Sequence, residues 1–241
     1  MQTLSIVIPC YNEEEGIPHL QSQLMPAVKE LQQNYNVELI FVNDGSTDRT
    51  QELLQQHFGP DKNTVILKHE KNKNLGAALK TGFSKAKGDL IAALDSDCTY
   101  SPQLFLKMLS MLDEKTDIVT VSPYHPQGMV HNVPVYRIFL SKSVSRLYRI
   151  LLGSEIYTYT AMVRVYRKKV IDTVQFKSNT FLGVTELFIK SLLHGYKAKE
   201  LPAELNVRQF GQSKMKTMRV IGDHLGLISR IAAHRVFGKE I

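Results

Sequence analysis

Cysteine is scarce in this chain. Cys10 and Cys98 are the only two, too few for a disulfide framework, so a reducing compartment is expected. Each stands just past an expected strand, which leaves a bridge between them open without requiring one. No run of roughly 18 uninterrupted apolar residues occurs, so no membrane-spanning helix is expected. Met1-Gln2-Thr3-Leu4 is not the basic and then apolar opening of a secretory leader. Neither a Gly-x-Gly-x-x-Gly fingerprint nor a P-loop lysine motif is present, so any phosphate must be held by metal and basic side chains rather than by a glycine-rich cradle. Low-complexity stretches are missing too, and 43% hydrophobic with 22% charged residues is the composition of an ordinary globular protein.

What is present is 241 residues with a net charge of +7. That length fits one large α/β domain, or one domain with an appendage, and an ample core. The charge favours an anionic partner: nucleic acid, an acidic membrane surface or a phosphorylated substrate. No aromatic or helical nucleic-acid readout motif accompanies it, so nucleic acid is not the expected partner.

The most informative stretch is Gly88-Asp89-Leu90-Ile91-Ala92-Ala93-Leu94-Asp95-Ser96-Asp97. Its continuous apolar run has the length of a strand buried on both faces, as in the middle of a parallel sheet. Asp95 and Asp97 then stand at the carboxyl end, where open α/β sheets bind ligands and where two carboxylates can share a divalent cation with substrate phosphates. Asp-Ser-Asp also reads as plain turn chemistry ahead of a helix starting near Ser101-Pro102.

Earlier segments repeat the pattern. Strands are expected over Leu4 to Pro9, Val37 to Val42 and Thr64 to His69. Between them lie a helix from about Ile17, which Glu14 and Glu15 would complement at its positive end, a helix capped by Asp48 or Ser46, and a helix opening at Leu75-Gly76-Ala77-Ala78. Asp44 is left over at a strand's carboxyl end, as Asp95 is. The alternation predicts a doubly wound, mostly parallel nucleotide-binding half with its acidic groups along one edge.

Ile8-Pro9-Cys10-Tyr11-Asn12-Glu13, Val42-Asn43-Asp44-Gly45-Ser46-Thr47-Asp48, Asn74-Leu75-Gly76 and Asp95-Ser96-Asp97, in that order, resemble the family 2 glycosyltransferases with the GT-A fold. The resemblance implies a mixed, mostly parallel central sheet flanked by helices. It implies Pro9, Tyr11 and Glu13 around the base of a nucleotide diphosphate sugar, Asp44 on its base or ribose, Gly76 beside the donor, Asp95 toward its ribose or sugar, and Mg²⁺ or Mn²⁺ on Asp97 with Asp95.

The second half is similar to the dolichyl- and polyprenyl-phosphate mannose or glucose synthases, so that the likeness covers residues from about 3 to 215. Its carriers are Tyr157 to Arg167, Glu186 on a helix, and Arg208-Gln209-Phe210-Gly211-Gln212-Ser213-Lys214. Here the resemblance implies Arg137, Arg208, Ser213 and Lys214 near the donor diphosphate or an acceptor polyprenyl phosphate, with Arg164 also at the substrate. An acceptor phosphate needs no strong general base, whereas a hydroxyl acceptor would need one, for which Glu186 is the candidate. Read from the residues alone, Arg208 to Lys214 is equally a polar loop, and Arg164 with Glu186 equally a buried pair. The chain departs from the synthases at Ser122-Pro123-Tyr124, where an arginine is usual, and at Thr99, Thr158 and Met162. Those departures bear on sugar and acceptor, and leave open an enzyme that glycosylates a hydroxyl, or a silent nucleotide-sugar-binding protein.

Val135 to Leu152 has helical periodicity, with Leu140, Val144, Leu147 and Leu151 on one side and Lys142, Arg146 and Arg149 on the other. It reads as a core-packing helix with a solvated basic face or as a helix lying on an anionic membrane. The expected organisation is a catalytic domain over 1–215, divided into a nucleotide-sugar half (1–122) and an acceptor half (123–215), followed by a helical extension over 216–241. The expected location is cytoplasmic, peripheral on a membrane face or held there by a separate anchoring subunit.

Overall fold

Residues Leu90–Ala93 form a strand, β4, with all four side chains buried. It is the middle strand of a seven-stranded sheet. The computed structural model describes residues 1–208, 210 and 217–237. The amino-terminal half is β1 (Thr3–Cys10), α1 (Ile17–Leu31), β2 (Asn36–Asn43), α2 (Thr50–Phe58), β3 (Thr64–Lys68), α3 (Leu75–Lys85) and β4, followed by α4 (Leu104–Ser110). β1 runs parallel to both β2 and β4, and β2 parallel to β3, the doubly wound arrangement that the alternating pattern predicts.

The alternation of β1 shows why helices cover both faces. Leu4, Ile6 and Ile8 enter a core with Leu20, Leu24 and Phe105, while Val7 enters the opposite core with Leu79 and Phe83. Successive strand residues point to opposite faces, so each face needs its own helical layer.

The carboxyl-terminal half completes the same sheet. It comprises β5 (Ile118–Ser122), β6 (Met129–Val130), α5 (Val135–Leu152), β7 (Arg164–Arg167), α6 (Lys168–Thr173), α7 (Leu182–Leu193), β8 (Ala198–Pro202), β9 (Glu204–Leu205) and α8 (Thr217–Phe237). β7 inserts antiparallel between β4 and β5, and β8 runs parallel to β5. β6 and β9 form a separate parallel pair. Hydrogen bonds therefore cross the sheet continuously between the two halves.

α5 has the bounds that its periodicity predicts, but of its 18 residues only Ser145 and Tyr148 are fully buried. Leu147 is 44% exposed, Phe139 69% and Ile150 68%. The expected core stripe is thus only partly sheltered, and a second apolar stripe faces outward. Cys10 is buried, Cys98 partly so, and both are free thiols.

Candidate active site

Three strand ends converge on a cleft of about 550 Å³, which Pro9, Tyr11, Glu13, Asp44, Asp95 and Asp97 help to line. Tight backbone brings them there. Asn12 and Cys98 adopt left-handed conformations (φ 53° and 51°), unusual for residues with a β-carbon and costing about 1–2 kcal/mol each. Gly45 (φ 70°) turns the chain after β2, where an added β-carbon would lie 2.3 Å from the Lys71 carbonyl carbon, so only glycine fits.

Asp44 is buried and well supplied with donors. Its carboxylate lies 2.6 Å from His69 Nδ1 and accepts from Asn72 Nδ2 and the Lys73 N–H, both at 2.9 Å. His69 Nε2 is in turn 2.9 Å from Thr81 Oγ1. These contacts hold the carboxylate in one orientation at the cleft wall. Sequence reasoning missed His69 and Asn72, whose roles arise only when β3 lies beside β2.

Asp97 accepts from the Thr99 N–H at 3.2 Å and faces Arg208, whose Nε is 3.4 Å from its Oδ2. Arg208 also forms an ion pair with Glu13. Asp95, beside them, has its carboxyl pushed up to about 8, chiefly by burial and then by the Asp97 charge, against the opposing pull of Arg208. An acid raised that far marks a sheltered site with a second carboxylate beside it, where the ionised form is costly until a cation joins it. Among the described residues no three His, Cys, Asp or Glu side chains gather into a metal cluster. Two carboxylate donors at the edge of an open cleft nonetheless fit Mg²⁺ or Mn²⁺, hard cations that take one or two protein carboxylates and complete their shell with water and substrate phosphates.

The cleft continues into an apolar groove of about 340 Å³ between α5 and α8. Asp95, Arg137, Met162 and Phe181 border both spaces. Arg137, in the first turn of α5, donates from Nε to Tyr136 Oη at 3.2 Å and stands at the junction. Leu140, Val144, Val184 and Ile221 line the groove farther on, and Ser122 and Thr158 close a hydroxyl contact of 2.8 Å behind it.

Residues 5–175 match the model of Glycosyl transferase family 2. The chain belongs to that family. It is 30% identical over 230 residues to the dolichol-phosphate mannosyltransferase of Pyrococcus furiosus, covering 95% of this chain and 63% of that protein. It is 29% identical over 221 residues to the polyprenol monophosphomannose synthase of Mycolicibacterium smegmatis, covering 89% and 81%. A third relative, the undecaprenyl-phosphate 4-deoxy-4-formamido-L-arabinose transferase of Salmonella choleraesuis, is 30% identical over 226 residues, covering 92% and 65%. The chain thus spans just under two thirds of the length of the first and third. Among solved structures, glucosyl-3-phosphoglycerate synthase from Mycobacterium tuberculosis in complex with Mn²⁺, UDP-glucose and phosphoglyceric acid superposes with a TM-score of 0.72 at 19% identity, over 96% of this chain and 80% of that one. The fold is the GT-A fold.

Against this family frame, the expected site residues divide. Pro9, Tyr11, Glu13, Asp44, Asp95, Asp97, Arg137 and Arg208 all line the cleft. Gly76 lies at its back rather than on its wall: its N–H donates to the Asn179 carbonyl at 2.8 Å, and an added β-carbon would lie 2.4 Å from the Ser178 oxygen. Close packing of α3 on the 178–180 loop is what its size permits. Ser213 and Lys214 lie outside the described residues.

Glu186 and Arg164 require correction, because neither lines the cleft and they do not pair with each other. Glu186, fully buried on α7, accepts the Lys177 and Ser178 N–H groups at 3.1 and 2.8 Å and lies 3.2 Å from Lys190 Nζ. Burial raises its carboxyl, but those hydrogen bonds outweigh it and the net shift is downward. Arg164, also fully buried, donates to Thr120 Oγ1 and to the carbonyls of Val184 and Tyr159, with its guanidinium 4.1 Å from the Phe188 ring centroid. It ties β7 to β5 and α7. Glu14 also serves another helix than expected: its carboxylate accepts the Arg49 N–H at the start of α2.

Proposed function

We propose that this chain transfers a hexose, with inversion, from a nucleotide diphosphate sugar such as GDP-mannose or a UDP-sugar to a polyprenyl phosphate of the dolichyl type. One observation carries the reading. The acid pair Asp95 and Asp97 borders a cleft that passes Arg137 into a groove walled largely by apolar side chains, so a polar donor site and an apolar acceptor path meet at one carboxylate. The names of the three relatives support the acceptor class. UDP with Mn²⁺ or Mg²⁺ in the structural neighbours supports the donor class and the cation.

The chemistry follows from charge. Displacement at the anomeric carbon develops positive character on the sugar ring and negative charge on the departing diphosphate. A divalent cation held by Asp95 and Asp97 supplies Lewis-acid neutralisation of that diphosphate when bound. Arg208 adds a guanidinium whose Nε is 3.4 Å from Asp97, and Lys214 is assigned to the same diphosphate. Arg137, at the junction, orients the acceptor phosphate. Such fixed charges stabilise the transition state more than the ground state. The acceptor phosphate is already anionic, so its oxygen attacks without a strong general base, and Glu186, which does not line the cleft, is not needed as one.

Among the described residues no helix is long and apolar enough to cross a membrane. The exposed Phe139 and Ile150 of α5 support peripheral attachment to a membrane, alone or beside an anchoring subunit; the cytoplasmic face is the side we assign to it.

Transfer of radiolabel from a panel of UDP- and GDP-sugars into an organic-extractable product, with polyprenyl phosphate and Mn²⁺, tests the reading. Lipid-soluble label that disappears with chelator is the expected result. Donor consumption yielding only water-soluble product would assign a hydroxyl acceptor instead, and no turnover with any donor would revive the silent binding protein.

A further inference from the structure

The outer side of α5 carries a recess distinct from the donor cleft, with a volume of about 640 Å³. Lys142, Arg146 and Arg149 line it, at the i, i+4, i+7 spacing that stacks side chains along one face of a helix. Tyr124 and Tyr157 line it as well. The Arg149 guanidinium sits 4.3 Å from the Tyr157 ring centroid, and the Lys142 ammonium 5.4 Å from that of Tyr124. A guanidinium held over a ring keeps its N–H edge available for an oxyanion.

None of the three cations takes part in an ion pair among the described residues. Glu200, the carboxylate bonded to this segment, turns its two oxygens to the Tyr157 and Thr158 N–H groups, each at 2.8 Å, and does not line the recess. The recess is therefore a concentration of positive charge that nothing on its walls neutralises.

Its rim supplies the second observation. Ile150 lines the recess and is 68% exposed, and Leu147 and Phe139 stand exposed along the adjoining stripe of the same helix. A soluble phosphate would account for the cations and leave three large apolar side chains in water. A lipid accounts for both, since its phosphate and its acyl chains lie side by side at the membrane surface.

We propose that this recess seats the phosphate of an anionic phospholipid headgroup, with Phe139, Leu147 and Ile150 entering the acyl region beside it. The lipid is bound as an anchor and not as the sugar acceptor, so the inference is independent of the transfer reaction and rests on the peripheral attachment proposed above. Because α5 also lines the apolar groove through Leu140 and Val144, and Tyr124 borders both spaces, a headgroup seated here holds that groove at the membrane surface.

Flotation of the full chain with vesicles of phosphatidylcholine alone, and of phosphatidylcholine with phosphatidylglycerol, tests this. The native protein partitions preferentially into the phosphatidylglycerol vesicles. Arg146→Gln and Arg149→Gln each reduce that partitioning about fivefold, the equivalent of roughly 1 kcal/mol per basic residue near an anionic surface. The paired variant Arg146→Lys, Arg149→Lys keeps the charge but loses the planar fork, and it binds more weakly than native. Equal partitioning of native protein into both vesicle types, or native-like binding by the lysine pair, would overturn the headgroup site. Inorganic phosphate, titrated by calorimetry, distinguishes a free anion: saturable binding of phosphate without vesicle preference also overturns the lipid assignment. In detergent, the paired glutamine variant transfers sugar to solubilised polyprenyl phosphate at the native rate. Absence of transfer by the native protein there would strike the proposed reaction and leave the vesicle result standing.

Discussion

Arg208 places its Nε 3.4 Å from Oδ2 of Asp97, and the same guanidinium pairs with Glu13. A cation from the far end of the chain thus bridges two acids of the amino-terminal half, at the edge where the donor diphosphate is assigned. The positive charge that balances the acids in the free protein is the one expected to follow the diphosphate when it departs.

Replacing that guanidinium separates catalysis from binding. Arg208→Gln is expected to lower kcat by about 10²-fold, the usual cost of losing one donor to a developing oxyanion, with a smaller change in donor KM. Steady-state kinetics over a range of donor concentrations would check this. An unchanged kcat would confine Arg208 to bridging Glu13 and Asp97 in the free protein.

Asp95 links pH to the cation. Its carboxyl is pushed up to about 8 by burial and by Asp97, so its contribution to stability is full below the ordinary value of 3.8 and is lost as pH rises through about 8. Metal-free protein should therefore lose thermal stability over that window. Added Mn²⁺ should restore it, and by more at pH ~8.5 than at pH ~6, because the ionised pair binds the cation. The variant Asp97→Asn should show no Mn²⁺-dependent shift in Tm and no turnover. Scanning calorimetry with and without Mn²⁺ reads the first, and a near-normal rate in this variant would remove Asp97 from the metal site.

Glu186 is expected to matter for stability and not for chemistry. Glu186→Gln weakens the bonds to the Lys177 and Ser178 N–H groups and leaves Lys190 Nζ, otherwise bonded to the Gln175 carbonyl, without its carboxylate. A loss of about 2–3 kcal/mol is expected, seen as a lower denaturation midpoint, with the kcat of the folded protein within about threefold of native. A collapse of kcat at unchanged stability would return Glu186 to the reaction.

His224 sets the acid limit. Burial lowers its imidazole to about 4, and Tyr148 Oη lies 2.9 Å from its Nδ1. The neutral ring is the folded form, so this contribution is present above 6.5 and is lost as pH falls through about 4, on the order of 3 kcal/mol in all. His224→Gln should flatten the loss of stability between those values, measured by urea denaturation across the pH range.

Much of the site was legible because its residues are close in sequence and sit at strand ends. Asp44, Asp95 and Asp97 each follow an apolar run of strand length, and a run buried on both faces announces a central parallel strand. Tyr11 and Glu13 belong to the loop that closes β1. Glu186 and Arg164 were misplaced for the opposite reason. A charged residue in an apolar helix or strand has the same sequence signature whether it faces a ligand or serves buried backbone groups, and only the position of residues 177–178 and of the Val184 and Tyr159 carbonyls distinguishes the two.

The alternating helices and strands of the first half, the bounds of α5, and the three carboxylates at the carboxyl ends of β2 and β4 can all be read from the chain's local pattern, because hydrophobic periodicity and strand termini are local properties. The assembled fold is what brings β7 in antiparallel between β4 and β5, sets Arg208 against Asp97 and Glu13, and places His69 on Asp44. It also sets the basic recess of α5 beside the apolar groove, with Tyr124 bordering both. Those are pairings between residues far apart in the chain, chosen by which backbone and polar groups must be satisfied once the sheet is assembled, and no local pattern records them.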